Sequence, residues 1–215
     1  MTPTQVFISH VAAHARTAVA LRYALDWWGL RAFVAHVDIE PGAEWIAEIR
    51  RALASCVSLV ALVSDTFNAS DWCDQEVGWA LGRGVPVIPV RLGSAPYGLF
   101  GNTQAIAWPT ESGAEHSVAE GIVAVLSRDT RTATQTTEIL VRHLVSNDSF
   151  AHANGLAAKM VDLQVRLSAD QLDRLDNARE DNPGLGLAFE LPRAAASLRR
   201  ITSANEPPRR PRSAD

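Results

Sequence analysis

The run Val57-Ser58-Leu59-Val60-Ala61-Leu62-Val63, closing at Ser64, is apolar almost without interruption. It reads as a strand buried on both faces, as in a parallel sheet covered by helices. A short loop later comes Ser70-Asp71-Trp72-Cys73-Asp74-Gln75-Glu76-Val77-Gly78-Trp79-Ala80-Leu81. This stretch reads as a helix: Ser70 is a good N-cap, and Asp71 and Asp74 suit the positive end of the helix dipole. At roughly 100° per residue, Cys73, Val77, Ala80 and Leu81 form its apolar face. A second stripe, Trp72, Glu76 and Trp79 at i, i+4 and i+7, sets a carboxylate between two indoles on a face the core does not require. The plain reading of that stripe is a solvated Glu beside half-exposed rings. The alternative is a Glu that lines a pocket.

Outward from this strand and helix the alternation repeats. Val6-Phe7-Ile8 suits a buried strand, and from Val11 a helical pattern places Ala18, Leu21, Leu25 and Trp28 on one face until Gly29 stops it. Arg31-Ala32-Phe33-Val34-Ala35 reads as a second strand and 36–44 as a loop. Trp45, Ile49, Leu53 and Cys56 mark a helix. Val85-Pro86-Val87-Ile88-Pro89-Val90 reads as a fourth strand, Ala105-Ile106-Ala107-Trp108 as a short edge strand, and 118–126 as a helix. Such alternation implies an α/β fold, a five-stranded parallel sheet with helices on both faces. Right-handed crossovers suggest the flavodoxin-like order 2-1-3-4-5. Past residue 128 the strands cease. Helices are expected over 136–145, 150–161, 168–179 (capped by Ser168) and 193–200, forming a small C-terminal appendage. The expected division is a domain at 4–127, a helical region at 128–201 and a disordered tail at 202–215.

Hydrophobic content of 47% with 20% charged residues is that of a globular chain, and a net charge of −4 argues against nucleic acid as partner. The basic cluster Arg209-Arg210-Pro211-Arg212 lies in the Pro-rich tail. Two cysteines, Cys56 and Cys73, are too few for a disulfide framework and read as buried thiols. The opening residues carry no leader pattern and no apolar run reaches spanning length, so the expectation is a cytoplasmic chain without membrane contact.

Ligands of such sheets bind beyond the carboxyl ends of the strands, near the switch between strands 1 and 3. There the chain places Ser9-His10, His36 to Asp38, and Ser64, with the Glu76 helix beginning close by. A magnesium-dependent receiver site would need acids after strand 1, and none is present. A flavin phosphate loop would need glycine there, and Val11-Ala12-Ala13-His14-Ala15 has none. No dinucleotide fingerprint or Walker A pattern occurs, and His10 and His14 lack a third ligand for zinc. What remains is one carboxylate among aromatics. A lone carboxylate is a poor glycosidase for ordinary sugars, whose leaving alcohol needs an acid. It suffices where the leaving group already carries positive charge, as nicotinamide does in NAD+. A nearby anion then stabilises the charge that develops on the ribose, and indole faces favour the cation.

Taken together, Val6-Phe7-Ile8-Ser9-His10, Asp38-Ile39-Glu40-Pro41-Gly42, Trp45 and Trp72-Cys73-Asp74-Gln75-Glu76 resemble the bacterial Toll/interleukin-1 receptor (TIR) domain over about 4–127. The resemblance implies the flavodoxin-like fold. It makes 38–44 the BB loop, which shapes the pocket and contributes to TIR–TIR self-association. Glu76 matches the catalytic Glu of the W-C-x-x-E motif, and Trp72 and Cys73 match the same motif. Phe7, Ser9, Asp38, Trp45 and Ser64 match positions that line the nucleotide site, with His10 beside them at the strand end; for Trp45 and Cys73 a core reading stands alongside. The implied activity is cleavage of NAD+, taken as substrate and not as a bound cofactor, to nicotinamide and ADP-ribose or a cyclic isomer, in antiphage defence. The helical region would control assembly or receive an activating partner or ligand. The competing reading is a TIR scaffold that assembles through the BB loop without turnover.

Overall fold

The computed structural model describes residues 5–35, 44–181 and 191–203. Two expectations therefore lie outside the described residues: Asp38 with most of the 36–44 loop, and all but the first two residues of the 202–215 tail. The chain forms two compact units, Met1–Thr136 and Thr137–Asp215.

The first unit is built on a five-stranded parallel sheet in the order β2-β1-β3-β4-β5. Its strands are β1 Val6–Ser9, β2 Ala32–Phe33, β3 Ser58–Val63, β4 Val87–Arg91 and β5 Ile106–Ala107. Every residue of β1 and β3 is buried, which is why their sequences do not alternate. The connecting helices are α1 Ala15–Trp27, α2 Trp45–Ser55, α3 Asp71–Gly82 and α4 Ala114–Arg128. Helices α1 and α4 pack together, while α3 packs on α2 and on β1, β3 and β4. The pleat divides the core between these pairs. Phe7, Leu59, Ala61 and Val63 join Ile49 and Leu53 of α2 and Cys73, Val77 and Ala80 of α3 in one cluster. Val6 and Ile8, buried too, turn the other way.

Local chemistry sets the boundaries. A 3-10 turn over Ala12–His14 precedes α1, so the helix starts later than Val11. It ends as expected at Gly29, whose φ of 76° is the left-handed conformation glycine adopts freely. There the Gly29 amide donates to the Asp26 carbonyl and the Leu30 amide to that of Leu25. Strands β2 and β5 are shorter than the sequence patterns suggest because each is an edge with a ladder partner on one side only. Only Val90 and Arg91 of β4 pair with β5, so Val87, Ile88 and Pro89 have no ladder partner on that side among the described residues. The Pro86 carbonyl accepts from Leu59 on β3, and that of Arg91 accepts from Trp108 beyond β5. By alternation the Pro89 nitrogen, which carries no hydrogen, faces that unpaired side.

The second unit continues from α5, Ala133–Val145, with α6 Phe150–Asp162, α7 Ala169–Asp181 and α8 Leu191–Ser203. Helix α8 packs on α6 and α7. Ser168 caps α7 as its sequence position suggests. Its Oγ accepts from the Gln171 amide at 3.2 Å while the Gln171 Oε1 accepts from the Ser168 amide at 2.9 Å, a reciprocal capping box. Glu138 of α5 accepts from the Arg174 guanidinium at 2.8 Å and from the Gln171 side-chain Nε2 at 3.2 Å. No helix among the described residues is long and apolar enough to cross a membrane.

Candidate active site

Glu76 sits in the second turn of α3 and Ser9 ends β1. The pleat that sends Phe7 toward α2 and α3 sends Ser9 the same way. On the helix, Glu76 lies about 40° from Ala80 and about 60° from Cys73, at the margin of the buried face. The two meet: the Ser9 hydroxyl donates to Glu76 Oε2 at 2.5 Å, inside the protein. Ser9 is 1% exposed and Glu76 7%. The stripe reading therefore needs correction. Trp72 and Trp79 remain on the surface, 42% and 43% exposed, whereas Glu76 is drawn inward with Cys73, Val77 and Ala80 because Ser9 supplies a polar partner there.

Burial pushes the Glu76 carboxyl from its ordinary value of 4.5 up to about 7, against the opposing pull of the Ser9 hydrogen bond. Desolvation of the charged form is the cause. Cys73 is 1% exposed and held as a thiol. Its burial raises the thiol pKa, with hydrogen bonding to Ser70 and Ser9 opposing and the Glu76 charge adding. Its own amide donates to Ser70 Oγ at 3.4 Å, the N-cap bond expected for α3. Ser9, Cys73 and Glu76 thus form one buried cluster.

Trp45 opens α2 and meets Trp72 edge to face, ring centroids 4.8 Å apart at 74°. Phe7 stacks on Phe33 at 5.3 Å and is 1% exposed, so its ring belongs to the core under Ser9. His10 is half-buried, with Nδ1 3.2 Å from the Ile8 carbonyl. Ser64 is buried just past β3, its hydroxyl without a hydrogen-bond partner among the described residues. The structure therefore gathers Ser9, Cys73 and Glu76 and pairs Trp45 with Trp72.

Two features beyond the strand ends escape the sequence. Tyr97, in the loop after β4, donates to the Asp74 carboxylate at 2.5 Å and packs among Phe67 and Phe100. Asp65, just past β3, accepts from Ser94 at 2.8 Å. Neither pair is local in sequence. The only advance signal was an aromatic in a Gly- and Pro-rich loop at the end of the sheet where ligands bind.

The family model described as the TIR domain matches residues 6–123. Among solved structures, the TIR domain of the Toll-related receptor TRR-2 from the lower metazoan Hydra magnipapillata is similar at 19% identity, over 48% of this chain and 82% of that one, with a TM-score of 0.42. No match was found among curated proteins.

Proposed function

This chain belongs to the TIR domain family, and from that premise we propose that it is an NAD+ nucleosidase with Glu76 as its catalytic carboxylate. The observation that carries the reading is the buried Ser9–Glu76 pair at the carboxyl end of the sheet. An acid held out of water at a desolvation cost is what a developing cation needs opposite it. As the C–N bond to nicotinamide breaks, the bonding electrons neutralise the pyridinium ring, and positive charge passes to the ribose. The ionised Glu76 stabilises that charge, and no general acid is required. Water at the ribose carbon gives ADP-ribose and releases a proton; attack by an atom of the bound nucleotide itself gives a cyclic isomer. The Trp45–Trp72 pair supplies indole surface for the nicotinamide.

In a bacterial cell this activity would serve antiphage defence in the cytoplasm. TIR–TIR assembly would organise it, and the helices of the second unit would receive the activating partner or ligand. A scaffold reading draws on the exposed Ile46, Trp72 and Trp79, apolar groups suited to a protein partner.

Incubation of the purified chain with NAD+, under dilute and assembly-promoting conditions, separates the two. Nicotinamide release that disappears in a folded Glu76→Ala variant supports catalysis. No release under either condition, or an unaffected variant, leaves the scaffold.

A further inference from the structure

Glu76 has two carboxylate oxygens in different situations. Oε2 accepts the Ser9 hydroxyl at 2.5 Å, while among the described residues Oε1 accepts no hydrogen bond. Ser9 is 1% exposed and ends β1, its hydroxyl committed to the acid. Because Ser9 occupies one oxygen, rotation of the carboxyl about its last torsion would break a buried charge-assisted bond, among the stronger kinds in a protein interior. We propose that Ser9 is a positioning residue for Glu76: its hydroxyl fixes Oε2 and leaves Oε1 as the oxygen presented to the ribose of the cationic substrate. This rests on the nucleosidase reading and adds to it the orientation of the catalytic group.

The other groups around Glu76 favour this division of labour. On its own helix, Cys73 feels the Glu76 charge and shares the Ser9 hydroxyl, while Asp74 is engaged by Tyr97. From β3, β4 and α2 the neighbouring cluster is apolar, with Leu59, Ala61, Val63, Val87, Ile49 and Leu53. His10 comes just past the end of β1, with its ring nitrogen near the Ile8 carbonyl. Ser9 is thus the polar side chain that sets both the orientation of the acid and, by favouring the ionised form, the pH at which it works.

The test compares the parent with Ser9→Ala and Ser9→Thr, and with Ser58→Ala as a control at a buried β3 hydroxyl that has no partner among the described residues. NAD+ cleavage is measured from pH 5 to 9, and the carboxyl titration of Glu76 is followed by carbon NMR of the folded proteins. For Ser9→Ala the titration midpoint is expected to rise by about one pH unit, the worth of a hydrogen bond to a charged group. The acid limb of kcat/KM, on which activity rises as the carboxyl ionises, should move with it, and kcat should fall about tenfold on its plateau while KM holds, the pattern of an interaction made to the catalytic group and not to substrate. Ser9→Thr keeps the hydroxyl and should restore both midpoint and kcat; Ser58→Ala should change neither. An unmoved midpoint, or a raised KM with kcat intact, overturns the positioning role. A parent that never cleaves NAD+ overturns the nucleosidase reading instead, and the NMR midpoint then still reports whether Ser9 governs the acid.

Discussion

Tyr97 donates its hydroxyl to Asp74 at 2.5 Å, tying the loop after β4 to the first turn of the helix that carries Glu76. Burial and the neighbouring Asp74 carboxylate together raise the phenol pKa, so Tyr97 remains a donor across the working range. Tyr97→Phe keeps the packing on Phe67 and Phe100 and removes only this bond. It should cost about 1 kcal/mol, read from urea denaturation. A loss near zero would mean that water replaces the partner at no cost.

Glu76 should make stability fall as pH rises. Its pKa is raised on folding, so the folded protein binds the extra proton between the ordinary 4.5 and about 7. Stability is then greatest below pH 4.5 with respect to this group and declines through pH 7 by an amount on the order of 3 kcal/mol. Glu76→Gln removes that slope and should be more stable than the parent at pH 8, with little difference at pH 4.5. Urea midpoints at the two pH values decide it; a parent with no slope would place the acid in ordinary solvent.

Catalysis should run the opposite way. The ionised carboxylate is the active form, so kcat/KM for NAD+ should rise with pH to a midpoint near 7, the value at which the buried acid loses its proton. The bound pyridinium cation favours ionisation, so the kcat profile should have its midpoint lower than that of kcat/KM. A rate that is flat from pH 5 to 8 would exclude Glu76 as the group whose charge matters.

Trp72 is half-exposed and meets Trp45 edge to face. Trp72→Ala removes both that contact and the indole surface assigned to nicotinamide. Stability should fall by about 1 kcal/mol, the worth of an aromatic pair. KM for NAD+ should rise several-fold, whereas Trp79→Ala, two turns further along the helix, should leave KM near that of the parent. A KM left unchanged by Trp72→Ala would mean that its ring does not lie over the substrate.

In the second unit, Ser168→Ala breaks the capping box at the start of α7. A loss of about 1 kcal/mol is expected, and Ser168→Asp, which keeps an acceptor, should recover most of it. Circular dichroism during urea titration reads both.

Much of the fold was legible because the central strands are apolar end to end and the helices carry clear stops such as Gly29 and clear caps such as Ser70 and Ser168. The edges were overestimated: the side chains at 31 and 105 fit a strand pattern, but a ladder needs a neighbour, and sequence does not show where one ends. The candidate site was legible in part. Spacing along α3 singled out Glu76, yet it grouped that acid with Trp72 and Trp79 because its partner lies 67 residues away. A buried carboxylate depends on such a distant hydroxyl, and helical periodicity carries no trace of one. Tyr97 and Asp74 were hidden for the same reason. Asp38 lies outside the described residues.

The truncated pairing of β4 has a bearing on how copies of this chain could meet. A foreign strand laid alongside Val87 and Pro89 would find no donor at the proline, and one of its own carbonyls would be stranded there without water. Growth of the sheet from molecule to molecule is thereby discouraged at that border.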